Sequence, residues 1–353
     1  MDLEAVLKKE GSIMERYLSL LRRLGDKRVV VLGDLVADEY VLGHANRISR
    51  EAPVLILGWQ DRYVALGGAT NTAHNICALG GEVQVVGVVG ADPLGEELRS
   101  SLLEAGIGQE HVLVDPSRPT TAKTRILAGG DQAVKQQLVR IDKLSRQSLS
   151  RELEWQILEK LTLLLPNADA LLISDYGLGV VTEGIREGAM ALAHKHQLPV
   201  AVDSRYNVLS YRGASVVTPN LEEVAGALGR EPKTEEELIC AGGELLAALA
   251  CQAVIITRGE DGMTLILEDG RSWHLPAQKP TQVYDVTGAG DTVIGVLALS
   301  LAAGSSFLEG AVLANMAAGL VVRKLGTATI TPSELEEALL EQVPQEELKF
   351  ASN

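Results

Sequence analysis

The stretch Asp285-Val286-Thr287-Gly288-Ala289-Gly290-Asp291 combines two kinds of chemistry. Two glycines flank a small residue just before the apolar run 293–299, so bare backbone N–H groups would lie at a helix N-terminus, where the macrodipole favours an anion. Asp291 stands at the edge of that cradle. A carboxylate beside a bound phosphoryl group is placed to take the proton of an attacking hydroxyl. The loop thus offers two parts of phosphoryl transfer, charge stabilisation and orientation of the nucleophile. Taken alone, Gly-Ala-Gly-Asp is equally a turn with Asp285 or Thr287 as a helix N-cap.

Such a loop needs a sheet behind it, and the rest of the chain supplies the pattern. Arg28 to Leu32 is a β-branched run ending in Gly33-Asp34, the signature of a buried strand whose carboxyl end faces a ligand. From residue 83 onward strands (83–89, 169–174, 199–203, 215–217, 252–257) alternate with helices (92–106, 152–164, 182–196, 221–229, 234–249), which predicts a mostly parallel sheet covered on both faces. The strands end in Ser174-Asp175, Asp203, Pro219-Asn220 and Thr257-Arg258-Gly259, so these polar residues should share one edge. Two helices are expected after the loop, at about 289–303 and 307–324, and a third after Thr331-Pro332-Ser333-Glu334. Residues 4–24 have helical apolar spacing.

Residues 35–66 change character. Short apolar and polar alternation with punctuation at Gly43, Pro53 and Gly58 suits short antiparallel strands, and a similar stretch returns at 111–140. The two pieces are expected to pair into a small sheet that serves as a lid. Between them, Gly67-Gly68-Ala69-Thr70-Asn71 opens a helix of small residues, which alone reads as a tight turn before a closely packed helix.

Composition narrows the function class. With 32 Lys+Arg against 47 Asp+Glu the net charge is −15, unsuited to a nucleic-acid backbone or an anionic membrane surface, so a phosphorylated ligand would need local cations. Three cysteines without Cys-x-x-Cys spacing indicate neither a zinc site nor a disulfide framework and fit a reducing, cytoplasmic compartment. The acidic start Met1-Asp2-Leu3-Glu4 lacks a leader pattern, so neither secretion nor membrane insertion is expected. There is no Gly-x4-Gly-Lys-Ser/Thr loop, no His-Glu-x-x-His, no Gly-x-Ser-x-Gly, and Gly87-Val88-Val89-Gly90 lacks the dinucleotide order Gly-x-Gly-x-x-Gly.

The full string from Asp285 to Asp291 resembles the C-terminal signature of the PfkB (ribokinase-like) carbohydrate kinases, Asp-x-Thr-Gly-Ala-Gly-Asp, and Gly67, Gly68 and Asn71 resemble the family's first signature. The resemblance covers about residues 28–335 and implies an α/β fold: a mostly parallel, ribokinase-like sheet flanked by helices with a small β-sheet lid, one kinase domain over 1–353 without the second, cytidylyltransferase-like domain of bifunctional forms. It also implies ATP and Mg²⁺, with Asp291 as catalytic base and Gly288, Ala289 and Gly290 as the anion hole. Asp34, Asp38, Gly67, Gly68 and Asn71 would hold the sugar. Asn220 and Glu223 match the family's Asn-x-x-Glu element, with Glu223 reaching Mg²⁺ through water; an Asn-capped helix start explains them equally. Thr257, Gly259 and Gly262 match its nucleotide loop, whose alternative is a β-turn. Asn315 could face the nucleotide or serve helix packing.

Within the family the resemblance is strongest to the heptose 7-phosphate kinases, through Arg47-Ile48-Ser49-Arg50-Glu51-Ala52-Pro53-Val54, Ser174-Asp175-Tyr176-Gly177, Val283-Tyr284 and Lys324-Leu325-Gly326-Thr327-Ala328. Two departures stand out: Leu178 replaces a lysine of Asp-Tyr-x-Lys-Gly, and Asp203-Ser204-Arg205 replaces Asp-Pro-Lys. For a phosphorylated sugar, Lys123, Arg125, Arg47 and Arg205 are the candidate partners, each also explicable as surface charge. The partner is a small sugar or sugar phosphate; lid edges of this family often pair between subunits, which implies a homodimer. A kinase for another sugar or sugar phosphate, of fructose, ribose or nucleoside type, and a non-catalytic sugar-binding regulator, are the other readings; the intact Asp291 and glycines disfavour the regulator.

Overall fold

The computed structural model describes residues 3–129, 135–277 and 285–342. In chain order the elements are α1 (Leu3–Leu24), β1 (Arg28–Gly33), β2 (Leu35–Ile48), β3 (Leu55–Gly68), α2 (Ala69–Ala78), β4 (Glu82–Gly90), α3 (Pro93–Glu104), β5 (Val112–Asp115), β6 (Ala122–Gly129), β7 (Gln136–Lys143), α4 (Arg151–Leu164), β8 (Ala170–Asp175), α5 (Glu183–Lys195), β9 (Val200–Ser204), β10 (Val216–Val217), α6 (Leu221–Leu228), α7 (Glu235–Leu249), β11 (Ala253–Thr257), β12 (Met263–Leu267), β13 (Ser272–Leu275), α8 (Ala289–Ala302), α9 (Phe307–Val321) and α10 (Pro332–Gln342).

Nine strands form the large sheet in the order β13-β12-β11-β10-β9-β8-β1-β4-β5. From β11 to β5 all neighbours are parallel; β12 and β13 add an antiparallel edge that periodicity did not reveal. The central strands are continuous apolar runs because both faces are covered. Alternation sorts their side chains: Val29 and Val31 of β1 join the core under α2, α8 and α9, whereas Val30 and Leu32 join the one under α4, α5 and α7. Helices α2 and α8 meet closely, since a Cβ on Gly295 would lie 3.1 Å from the Thr72 carbonyl oxygen. That proximity places the start of α2 against the start of α8.

The smaller sheet has the order β3-β2-β6-β7. Two expectations change here. Residues 35–66 form two strands of 14 residues each rather than several short ones; Gly43 does not end β2 but lies at a register shift against β3, so a bulge bends the strand and pairing continues. Of the stretch 111–140, β5 belongs to the large sheet, paired parallel with Gly87–Gly90 of β4, where Val112 is buried. Only β6 and β7 pair with the outlying strands. Arg62 of β3 bonds Glu97 of α3 at 2.8 Å, and Lys143 of β7 bonds Asp92 at 3.1 Å, which anchors the smaller sheet against α3. Val283 and Tyr284 lie outside the described residues.

Candidate active site

Asp291 sits in the first turn of α8, 5% exposed. The helix begins at Gly288, which adopts φ 81° and supplies no side-chain cap, so the expected Asp285 or Thr287 cap is not made. Asp285 instead pins the loop: its Oδ1 accepts from the Thr287 N–H at 2.9 Å and its Oδ2 from the Gly326 N–H at 3.2 Å. An uncapped helix start leaves amide donors for an anion. The space where a Gly290 Cβ would stand is open. Of the three expected amides, that of Ala289 turns inward to the Val286 carbonyl at 3.3 Å, so Gly288 and Gly290 are the better-placed donors.

Three donors hold the Asp291 carboxylate. Tyr176 Oη donates to Oδ1 at 2.6 Å, Thr72 Oγ1 donates to the same oxygen at 3.4 Å, and Asn71 Nδ2 donates to Oδ2 at 2.8 Å. Asn71 is fixed in turn by Asn75, whose Nδ2 donates to the Asn71 carbonyl at 2.9 Å, and Asn75 accepts from Thr292 Oγ1 at 2.9 Å. A side chain at Gly288 would collide with Asn71, at 2.5 Å from its Nδ2. Burial raises the Asp291 pKa to about 6; the bonds from Tyr176 and Asn71 oppose the rise, Asp38 adds to it and Lys123 lowers it. A base with that pKa is ionised at neutral pH yet a ready proton acceptor.

Around it lie other predicted residues. Arg125 Nη1 bonds Asp38 Oδ1 at 2.7 Å, both buried. Gly67 lets Asp38 approach, since a Cβ there would stand 2.6 Å from Asp38 Oδ2. Gly68, at φ 55°, turns the chain into α2. Lys123 Nζ lies 4.8 Å above the Tyr176 ring, and burial lowers its pKa against the pull of Asp38 and Asp291. Asp38, Gly67, Asn71, Lys123, Arg125 and Asp291 therefore form one group.

Asp34 takes a different part from the one expected. It is 1% exposed, and its carboxylate accepts from the backbone N–H of Tyr176 at 2.8 Å, Leu178 at 3.2 Å and Val180 at 3.3 Å. Buried and bonded in this way, the carboxylate holds the loop that carries Tyr176. Leu178, standing where a lysine was anticipated, is buried, and its carbonyl accepts from Arg118 at 3.4 Å.

A second group lies beside the first. Arg205, Asn220 and Glu223 line a cavity of about 630 Å³ between residues 205–210 and α6. Asn220 and Glu223 form a reciprocal capping box, with Oδ1 accepting from the Glu223 N–H at 2.8 Å and Oε2 from the Asn220 N–H at 2.9 Å. One Glu223 oxygen thus remains available. Burial raises the Glu223 pKa, opposed by the Asn220 bonds and Arg205; burial and then the charge of Glu223 push Asp203 well above the usual carboxylate range. The charge of Glu223 disfavours that of Asp203, a repulsion that a hydrated cation relieves, so Glu223 and Asp203 fit an outer-shell Mg²⁺. Among the described residues no three or more His, Cys, Asp and Glu gather to bind a metal alone.

Arg205 is exposed and lies near enough to Glu223 and Lys123 to affect both, between the two groups; Arg47 is exposed on β2. Thr257 bridges to Asn220, its N–H donating to the Pro219 carbonyl at 3.0 Å. Gly259, at φ 58°, faces open space. Gly262 does not: at φ 83° it packs on the backbone of 275–277 and closes a turn by accepting from the Arg258 N–H at 2.8 Å. The Asn315 amide likewise donates to the Pro276 carbonyl at 2.8 Å, a packing role. Sequence reasoning missed Tyr176, Asp203 and the Asn75–Thr292 pair; the first two stood in quoted motifs without an assigned part.

The family model for pfkB family carbohydrate kinases matches residues 26–334. The bifunctional protein HldE of Geotalea uraniireducens is 42% identical over 318 residues, 90% of this chain and 64% of that protein. The HldE of Geobacter sulfurreducens is 41% identical over 322 residues, 91% of this chain and 64% of that protein. The chain thus spans a little under two thirds of these relatives. Among solved structures, Escherichia coli phosphofructokinase-2 in complex with potassium superposes with a TM-score of 0.73 at 19% identity, covering 89% of this chain and 99% of that one. Arabidopsis thaliana ribokinase complexed with ribose and ATP gives 0.68 at 19% identity, covering 91% and 99%.

Proposed function

Since the chain belongs to the pfkB family of carbohydrate kinases, we propose that it transfers the γ-phosphoryl group of ATP to the C1 hydroxyl of D-glycero-β-D-manno-heptose 7-phosphate, with Asp291 as the base. The observation that carries the reading is a buried carboxylate of pKa about 6 in the first turn of an uncapped helix, beside the Asp38, Asn71 and Lys123 group. The heptose specificity rests on the Arg47–Val54, Asp175-Tyr176 and Asp285–Asp291 segments and on the HldE relatives.

Asp38, Gly67 and Asn71 receive the sugar, with Lys123 and Arg205 turned to its phosphate because Arg125 is already committed to Asp38. Asp291 takes the acceptor proton, and the Gly288 and Gly290 amides stabilise the transferring group. Asn220, Thr257 and Gly259 would hold the triphosphate. Glu223, with Asp203 nearby, would hold Mg²⁺ through water, and the ion would supply charge neutralisation for the triphosphate. The smaller sheet closes over the sugar and excludes water. In a panel of heptose 7-phosphate, fructose, fructose phosphates, ribose and adenosine, the heptose phosphate should give the highest kcat/KM, with NMR placing the new phosphate at C1. Preference for a neutral sugar or a nucleoside would overturn the specificity while leaving the family.

No helix among the described residues is long and apolar enough to cross a membrane. The smaller sheet leaves Ile48, Trp59, Leu138, Val139 and Ile141 exposed, Trp59 by 72%. An apolar patch of that kind on an open sheet invites a second copy, and the reading makes the protein a homodimer through this sheet. Light scattering should give twice the chain mass for wild type and the single mass for Trp59→Glu/Ile141→Glu; a monomeric wild type would refute the arrangement.

A further inference from the structure

The bonds to Asp291 leave little freedom. A carboxylate oxygen offers two lone-pair sites. On Oδ1, Tyr176 Oη at 2.6 Å takes one and Thr72 Oγ1, whose one proton is also within 3.5 Å of the Gly68 carbonyl, stands 3.4 Å from the other; on Oδ2, Asn71 Nδ2 at 2.8 Å takes one. Among the described residues, no donor reaches the second site on Oδ2. We propose that Tyr176 is a positioning residue: its hydroxyl fixes the Asp291 carboxylate so that Oδ2 alone receives the acceptor proton, and it holds the base ionised.

This inference rests on the kinase reading for the step it serves. In that step the sugar oxygen bonds the γ-phosphorus as the bond from that phosphorus to the bridging oxygen breaks. The electron pair leaves with ADP, and the proton passes to Oδ2. The tyrosine is well suited to donate and not to compete for the proton. Burial, then the charge of Asp291, raises its own pKa well above the ordinary phenol value. Its main-chain N–H is held by Asp34 at 2.8 Å, and its ring lies beneath Lys123 Nζ at 4.8 Å. The charged groups around the pair are Asp38 from β2, Lys123 from β6, and Asp203 from β9, with Arg125 and Arg205 beyond Lys123. Among the described residues, only Tyr176 touches Asp291 Oδ1 at a strong hydrogen-bond distance.

Tyr176→Phe keeps the ring under Lys123 and removes the donor. In protein labelled with ¹³C at the aspartate carboxyls, the Asp291 resonance, assigned with Asp291→Asn, should titrate about one pH unit higher in Tyr176→Phe than in wild type, the usual size of one charged hydrogen bond. The acid limb of kcat on the turned-over sugar should move by the same amount. A midpoint that stays with wild type overturns the proposal, even if kcat falls at every pH. The titration reads the residue and not the reaction. An unshifted midpoint therefore counts against Tyr176 alone, and an inactive wild type counts against the kinase reading alone. If Tyr176→Phe does not fold, 3-fluorotyrosine-labelled protein, whose more acidic phenols donate more strongly, should move the midpoint down; no movement overturns the proposal equally.

Discussion

Asp291→Asn should bind ATP as wild type does and lose turnover by roughly 10²–10⁴, the usual worth of a general base. The same variant should be more stable at neutral pH. The carboxyl titrates at about 6 when folded and near 4 when unfolded, so its contribution favours the fold below pH 4 and is lost as pH rises through 6. Two units correspond to about 3 kcal/mol. The amide escapes that loss but sets an NH₂ against the Asn71 donor or breaks the Tyr176 bond, which leaves a net gain of about 1–2 kcal/mol. Urea unfolding at pH 4.5 and 7.5 should show the gap between variant and wild type opening at the higher pH. Near-wild-type turnover would remove Asp291 from the base role, and a less stable variant at both pH values would contradict the assigned burial.

Asp34→Ala should be the most destabilising single change near the site. It strands the N–H groups of Tyr176, Leu178 and Val180, which all donate to this one carboxylate. Each stranded donor costs about 1–3 kcal/mol. Relaxation of the loop toward water recovers part of that sum, so about 3 kcal/mol is expected near pH 5. Burial, then the charge of Asp175, raises the Asp34 pKa to about 6. The wild-type carboxyl therefore contributes most below pH 4 and loses that contribution as pH rises through 6, which makes the cost of Asp34→Ala smaller at pH 7.5. Because the loop carries Tyr176, kcat should fall even at temperatures where the variant is fully folded. Chemical unfolding and turnover measured together test both statements; unchanged stability at pH 5 would mean that the loop does not depend on Asp34.

These two aspartates show what was legible in the sequence and what was not. Asp291 was readable because its partners, the glycines and the helix that follow one another in the chain, are local: spacing alone puts a carboxylate at an amide-rich helix start. The parallel sheet was readable for a similar reason, since Arg28–Leu32 and its counterparts are continuous apolar runs that end in polar residues. Asp34 ends a strand, as ligand-binding residues do, and the resemblance gives it a sugar. Its actual partners are backbone amides more than 140 positions away, and an amide N–H has no letter in the sequence. Tyr176 escaped notice likewise, its hydroxyl meeting a carboxylate 115 residues on. Gly262 and Asn315 match a motif and an expected face, yet the backbone of 275–277 closes on both. Motif spacing specifies which residues are near one another along the chain; competition for a carboxylate's lone pairs is settled only by packing.

The measurement that bears most directly on the central claim follows the phosphoryl group itself. Wild-type protein, Mg²⁺ and [γ-³²P]ATP are incubated with and without D-glycero-β-D-manno-heptose 7-phosphate. The account predicts label on the sugar, one ADP released per label transferred, little inorganic phosphate, and loss of the transfer in Asp291→Asn. Label appearing as inorganic phosphate at the same rate with and without sugar, or transfer that survives in Asp291→Asn, would contradict it.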